Sequence, residues 1–538
     1  MLARFLVAYL FCLTAASYAV YTRAELTDVG PADAVVVTST WERGTLVTRS
    51  FGTGAPVPPN DPGMVHEVVT GEAPLPRDRR LLALALLPGK DGVRARLDGK
   101  EAIVTVDDLL LHGAYERAFV DPGTGLGFGT DPDVVFSLLA ERLATDFATV
   151  ATRAELTRLG FRRVVSKDRA PEAPRALDVT VAKEAVAGFA AHLSRGVDGT
   201  GHFAYLVDAT SGRSDGSYNW PRHSGATYFL AQATRVTFDP AVAAAARRAS
   251  ALLRDSLLVE CGKERCIADG EIADVGSSAL ATLAFTEIEA AGVDTGFRPA
   301  IRALTSFLRS QQRPDGELMH YYDRTTSSPL DIQVLYYTGE AVFALARAHR
   351  LTGDEEALHA AKKGLVRLGR SWDFFGNRYY FGEEHWTCQA AAELVDRSDD
   401  RTTLDFCKRW HAFSRAMQYR PGETPFDARG GFGVGPLMPP RVTAASSRAE
   451  AAGALLDGLM RATPDDPDVP ALQDELRLAL EFMLRQRLGR DVEHLFATPR
   501  EVVGRLPGSS VDWRLRIDYE QHAGSALVRW IALQERSK

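Results

Sequence analysis

Positive charge is in short supply in this sequence. Its 63 lysines and arginines stand against 70 aspartates and glutamates, for a net charge of -7 and a pI near 6.0. With no basic excess to meet phosphate, nucleic acid is not expected as a partner. Cysteine is scarce too, with five in 538 residues, and its spacing matches no common zinc pattern. No apolar run reaches the ~20 residues that cross a bilayer; the one at the amino terminus is roughly 15 long. What remains, 45% hydrophobic and 25% charged, is ordinary globular composition and excludes a disordered or collagen-like chain.

The amino terminus, "MLARFLVAYLFCLTAASYAV", joins Arg4 to that apolar run and then places Ser17 and Ala19 like a cleavage signal. Residues 1–19 therefore read as a signal peptide, and the chain is expected to be exported to the periplasm or cell surface. Contact with a membrane is expected only through this segment, if it stays uncleaved. Cys12 lacks the small residue that precedes a lipoprotein cysteine. Four cysteines are left after cleavage, an even number that suits disulfides in an exported chain. Cys261 and Cys266 bracket the loop "CGKERC", and Cys388 and Cys407 fall on consecutive predicted helices, so these are the expected pairs.

Residues 24–165 read as an α+β domain. Short β-type runs ("DAVVVTSTW", "GTLVTRSF", "RRLLALALL", "VRARL", "EAIVTV") are separated by Gly, Pro and Asp, with helical patterns in "DPDVVFSLLAERLATDFA" and "TRAELTRLGF". Residues 166–180, rich in proline and charge, read as a linker. From 181 to 535 the apolar residues recur at i, i+3, i+4 and i+7, and twelve helices are predicted, near 181–195, 222–235, 239–258, 276–291, 297–311, 334–352, 354–370, 385–396, 401–418, 446–462, 468–487 and 518–534.

The links between these helices alternate. From an even helix to the next odd one the link is a short turn such as "LTGDE"; from odd to even it is a long excursion rich in Gly, aromatic and charged residues, such as "QQRPDGELMHYYDRTTSSPLDIQ". An antiparallel series puts all links of one kind on one face. The predicted fold class is thus mainly α, an (α/α)6 barrel with its long loops on one rim, preceded by the smaller α+β domain. Loops of that length are uncommon unless they do something, so that rim is the functional face.

Each even helix starts there with a polar turn and continues small or apolar. The ring so defined contains Arg222, His223, Asp274, Glu340, Glu384, His385, Arg448, Glu450, Asp518, Glu520 and His522. An acid in a first helical turn also stabilises the helix dipole, so one member alone proves little. Glu340 and Glu450 lie further inside and among small residues, where a carboxylate needs a partner or a raised pKa. Trp220, Tyr322 and Trp386 on the same loops supply aromatic faces on which the CH face of a sugar stacks.

The repeated hairpins, with "QQRPDGELMHYYD" before one inner helix and "YYTGEAVFALARAHRLTGD" across the next pair, resemble the six-hairpin glycosidase superfamily, which includes N-acylglucosamine 2-epimerases, unsaturated glucuronyl hydrolases and glucuronyl C5-epimerases. The resemblance spans roughly residues 180–535 and is one of architecture and local phrasing; no catalytic signature transfers residue by residue. Lanthionine cyclase-like proteins share the toroid, but the Cys-His pair of their zinc site has no match around Cys388 in "HWTCQ". Cys407 and His411 in "CKRWH" read instead as a disulfide partner and a surface residue. No metal and no cofactor is expected.

The resemblance implies a carbohydrate substrate. Hydrolysis needs two carboxyls in unlike environments, for which Asp274, Glu340, Glu450 and Asp518 are the candidates. Epimerisation needs a pair of bases, which brings His385 and His522 forward. Arg222, His223, Trp220, Tyr322, Trp386 and Arg448 are the expected substrate-binding residues. A polysaccharide lyase is an alternative, since "YNWPRHSGATY" gathers Asn219, Arg222, His223 and Tyr228. The other is a non-catalytic glycan-binding or cell-envelope assembly protein on the same scaffold.

Overall fold

The computed structural model describes residues 25–115, 129–171, 173, 175–375, 385–423, 427–433 and 439–536. The signal-like segment and Glu384 lie outside them. Among the described residues no helix is long and apolar enough to cross a membrane.

The amino-terminal part is built on seven antiparallel strands: β1 (Thr27–Asp28), β2 (Val35–Glu42), β3 (Thr45–Thr53), β4 (Met64–Pro74), β5 (Asp91–Leu97), β6 (Lys100–Val104) and β7 (Glu155–Val164). Their order is β3-β2-β4-β7-β5-β6, with β1 also on β4. Helices α1 (Arg79–Ala85), α2 (Val106–Leu111), α3 (Pro132–Leu143) and α4 (Phe147–Arg153) complete it, packing Leu82, Leu109, Phe136, Leu139 and Val150 onto Val93, Ala95, Val104 and Leu156. Two expectations change here. The run "RRLLALALL" is helix α1, because Asp78 caps it by accepting from the Arg80 and Leu81 amides and leucine and alanine favour helix. The segment "TRAELTRLGF" mostly enters β7, a central strand hydrogen-bonded to both β4 and β5, so sheet pairing overrides a helical pattern.

Among the described residues twelve long helices follow: α5 (Val179–Arg195), α6 (Trp220–Thr237), α7 (Pro240–Leu252), α8 (Val275–Ala290), α9 (Arg298–Ser310), α10 (Tyr337–Thr352), α11 (Glu355–Phe375), α12 (His385–Glu393), α13 (Thr402–Ser414), α14 (Val442–Ala462), α15 (Val469–Arg485) and α16 (Ile517–Arg536), with one short helical turn, Pro499–Val502, in the excursion before the last of them. Side chains of Asp178, Asn219, Asp239 and Asp274 accept from first-turn amides and start α5 to α8. Helix α7 stops short of its predicted end at 258: a π-helical turn, Leu253–Leu257, leads into the hairpin of β9 (Leu258–Cys261) and β10 (Glu264–Ile267).

The even helices pack as a closed ring, α6 on α8, α8 on α10, α10 on α12, α12 on α14, α14 on α16, and α16 back on α6. The fold is the predicted (α/α)6 toroid, and α16 closes it as counting hairpins requires. Small residues allow the close approach: a side chain on Gly524 of α16 would run into the Phe229 ring of α6. The two expected cysteine pairs are formed, with Cα atoms 5.9 Å apart for Cys261 and Cys266 and 5.7 Å apart for Cys388 and Cys407, which joins α12 to α13. His411 is not at the surface: it is buried, with Nδ1 at 2.9 Å from Glu475.

The long excursions are knitted together on one rim. Strand β11 (Ile272–Asp274) pairs with β12 (Tyr321–Asp323), which pairs with β13 (Ser328–Leu330). Strand β14 (Arg514–Arg516), just before α16, pairs with β8 (Leu206–Asp208), just after α5. The amino-terminal part docks on the same excursion that holds β14: Leu488, Leu495, Phe496 and Trp513 join its core, and His494 Nε2 lies 2.8 Å from Asp107.

Candidate active site at the mouth of the toroid

Inner helices entered from the rim present their first turns to the mouth, in the ring order α6, α8, α10, α12, α14, α16. In a six-membered ring α10 faces α16 and α6 faces α12. The polar side chains gathered there come from all six.

On one side, Arg516 grips Asp518 in a fork, Nε to Oδ1 at 2.6 Å and the second nitrogen to Oδ2 at 2.8 Å. Arg222 adds Nε to the same Oδ2 at 3.2 Å and donates to the Tyr205 hydroxyl at 3.2 Å. Burial works against ionisation of Asp518, but the two guanidiniums prevail and hold its pKa below the usual value. Arg222 keeps 36% of its side chain exposed. It presents a cation to solvent at the mouth.

One turn along α16, His522 Nδ1 lies 2.6 Å from Glu450 Oε2 on α14. His385, the first residue of α12, has Nε2 at 3.8 Å from the same oxygen. The two imidazole rings are 5.4 Å apart and nearly perpendicular, and Trp386 packs beside them at 4.5 and 6.1 Å. Burial favours neutral His522, yet the Glu450 carboxylate outweighs it and raises the pKa. The ligand atoms of His385, Glu450 and His522 lie within 4.8 Å of one another, so among the described residues this is the group able to hold a metal ion. The 2.6 Å contact is already a complete hydrogen bond.

On the opposite side, Glu340 is buried at 3% exposure in the first turn of α10. Its Oε2 has no hydrogen-bond partner among the described residues. Burial, then the neighbouring Asp274, push its pKa well above the usual value, with Arg222 pulling the other way. Asp274 caps α8 through the Ser277 amide and hydroxyl, 2.6 and 2.7 Å away. Its pKa is also raised, by burial. Gly276 makes the space: a Cβ there would sit 2.8 Å from Glu340 Oε2 and collide with the Tyr337 ring.

The structure therefore brings Arg222, Asp274, Glu340, His385, Glu450, Asp518, His522 and Trp386 to one mouth. Five expected members stand elsewhere or do other work. His223 is fully buried, with Nδ1 on the Tyr218 hydroxyl at 2.7 Å and Nε2 on the Ala249 carbonyl at 3.0 Å, and desolvation lowers its pKa to about 4. With both nitrogens engaged it is a packing histidine. Tyr322 packs its ring on Phe307 of the outer helix α9. Arg448 is 1% exposed and lies over the rings of Phe432 and Trp410, the latter on outer helix α13, at 5.0 and 5.5 Å. Trp220 remains on the rim, half-buried in a cluster with Tyr218 and His202, its indole N–H on Asp269 at 3.1 Å. Glu520 pairs with Arg505 and His192 away from this group. Tyr205, Tyr337 and Arg516 were not expected; the first-turn spacing of Tyr337 and Glu340 was the available signal for one of them.

Neither a protein-family model nor a curated protein matches the sequence. Solved structures do. A D-mannose isomerase, 14% identical, matches over 65% of this chain and 97% of its own with a TM-score of 0.50. An unsaturated glucuronyl hydrolase specific for heparin matches at 13% identity, 66% and 99% coverage and 0.49, and a cellobiose 2-epimerase from Spirochaeta thermophila at 15%, 68% and 100%, and 0.48. The helical domain has the fold of the six-hairpin, glycosidase-like toroids. At these identities the likeness is one of fold.

Proposed function

We propose that this chain is a carbohydrate-active enzyme that moves a proton on a sugar, an isomerase or epimerase of free or reducing-end aldoses and ketoses. The observation that carries the reading is the shared oxygen: Glu450 Oε2 lies 2.6 Å from His522 and 3.8 Å from His385. A carboxylate hydrogen-bonded to imidazole strengthens it as a base, and a second imidazole within reach passes a proton on. Rings 5.4 Å apart leave no room for a sugar carbon between them. They sit side by side on one wall, which suits a shift between neighbouring carbons through an enediol better than inversion between two facing bases. Trp386 beside the rings offers a face for the sugar, and Arg222 a hydrogen-bond donor to its oxygens. The fold shared with a D-mannose isomerase supports a sugar as substrate. Two disulfides support the reading of an exported protein.

Hydrolysis is the second reading, favoured by one observation: Glu340 is pushed towards its acid form while Asp518 is held as carboxylate. One experiment separates the two. Incubating the mature protein in D2O with a panel of free aldoses, reducing disaccharides and their methyl glycosides, followed by proton NMR, shows deuterium entering next to the carbonyl carbon if the first reading holds. Cleavage of glycosides without such exchange supports hydrolysis, and no turnover of any sugar supports a glycan-binding role.

A further inference from the structure

Among the described residues Glu340 is the one mouth carboxyl with a buried oxygen that finds no hydrogen-bond partner. It is 3% exposed, in a turn that opens on the mouth, and its Oε2 is wholly buried and unpaired. A buried carboxyl left in this state costs stability that a fully apolar residue would not, because its polar atoms have given up water for nothing. The chain nonetheless keeps space for it, through Gly276 on α8. The groups that bear on it are Asp274 at the start of α8, Tyr337 on its own helix and Arg222 on α6, while α12 approaches with Trp386 and Thr387 against Gly339. None supplies a cation at hydrogen-bond distance. Across the ring stand Asp518 and His522 on α16.

From this geometry we infer that Glu340 is a neutral carboxylic acid that delivers a proton to the carbonyl oxygen of the substrate, opposite the base formed by His522 and Glu450. The inference rests on the proton-transfer reading above. As the imidazole takes the proton from the carbon beside the carbonyl, the C–H electron pair becomes the new C=C bond. The carbonyl π pair takes the proton of Glu340. The product is an enediol, with Glu340 left as carboxylate and the imidazole protonated. Return of a proton from imidazole to either carbon reforms a carbonyl at the other, and the hydroxyl proton goes back to Glu340, so atoms and charges balance. Burial keeps the acid protonated between turnovers, and the Arg222 charge eases its brief ionisation.

The test has two arms. The first is infrared difference spectroscopy of the ligand-free protein at neutral pH, wild type against Glu340→Gln. A carboxylic-acid C=O band present in the wild type and lost in the variant is expected; its absence overturns the inference whether or not any sugar is turned over. The second compares turnover with binding of an alditol, which has no carbonyl. Glu340→Gln keeps the shape and a hydrogen-bond donor but releases no proton, so kcat should fall on the order of a hundredfold or more while alditol affinity stays within about threefold. Glu340→Asp, which retains a proton, should recover part of the rate. A Glu340→Gln protein with wild-type kcat overturns the inference. If the wild type turns over no sugar, the proton-transfer reading fails and the infrared arm still decides the state of Glu340.

Discussion

Arg516 holds both carboxylate oxygens of Asp518, at 2.6 and 2.8 Å, from the last residue of a strand whose partner lies at the start of the toroid. The ion pair thus anchors the first turn of α16 beside the pairing of β14 with β8, which joins the two ends of the helical domain. Because Asp518 is buried and its folded pKa is depressed, its contribution is present above the unfolded value near 3.9 and is lost as the pH falls through the lower folded value. Asp518→Asn should cost about 1–3 kcal/mol at neutral pH and flatten the acid limb of stability, measured by urea unfolding across pH. An unchanged acid limb would mean that the pair adds nothing.

His522 carries the opposite sign. Its folded pKa is raised by Glu450, so the stability it contributes is full below the unfolded value near 6.5 and is lost as the pH rises through the folded value. NMR titration of the imidazole should show it above 6.5 in the wild type, and Glu450→Gln should bring it down. A His522 that titrates alike in both proteins removes Glu450 from the proton path.

Glu340 departs from the usual carboxylate behaviour. A carboxyl whose pKa is raised on folding binds its proton more tightly in the folded state, so stability falls as the pH climbs from about 4.3 towards the folded value. Glu340→Gln has no such proton to lose. It should be at least as stable as the wild type at neutral pH, with a flatter pH dependence. Marked destabilisation in thermal or urea unfolding would show that Glu340 is held by partners as a carboxylate.

Ending the chain before Ile517 should unfold the toroid. Helix α16 lies between α6 and α14 and buries Ile517, Ala523, Leu527, Trp530 and Ile531. Large apolar side chains are worth about 1.5–3 kcal/mol each, and a domain has only about 5–15 kcal/mol to lose. Circular dichroism during urea unfolding should show no cooperative transition for the helical domain; a sharp one would disprove the closed ring.

The toroid was legible because each inner helix announces itself twice, by its apolar period and by the long polar excursion before it, as "SSPLDIQVLYYTGEAVFALA" shows. The amino-terminal part was less so. Leu81 to Leu87 form a continuous apolar run without a period, and Leu156, Arg158 and Leu159 become strand only through partners in β4 and β5. In the site, Glu340 could be read from its small neighbours, since a carboxyl among them has nowhere to go but the mouth. His223 and His522 look alike in sequence, each near the start of an inner helix. Only the fold shows one ring turned onto Ala249 and Tyr218 and the other onto Glu450. Arg516 stayed hidden because its place depends on β14 finding β8 across the whole domain.

The side-by-side imidazoles joined by Glu450 carry the proposed proton transfer, and deuterium exchange tests it directly. With a sugar from the panel in D2O, the wild type should place deuterium on the carbon beside the carbonyl, and His385→Gln and His522→Gln should each slow that exchange on the order of a hundredfold or more, with no loss after dialysis against a chelator. Exchange at the wild-type rate in both variants, or glycoside cleavage by the wild type with no deuterium incorporated, would contradict it.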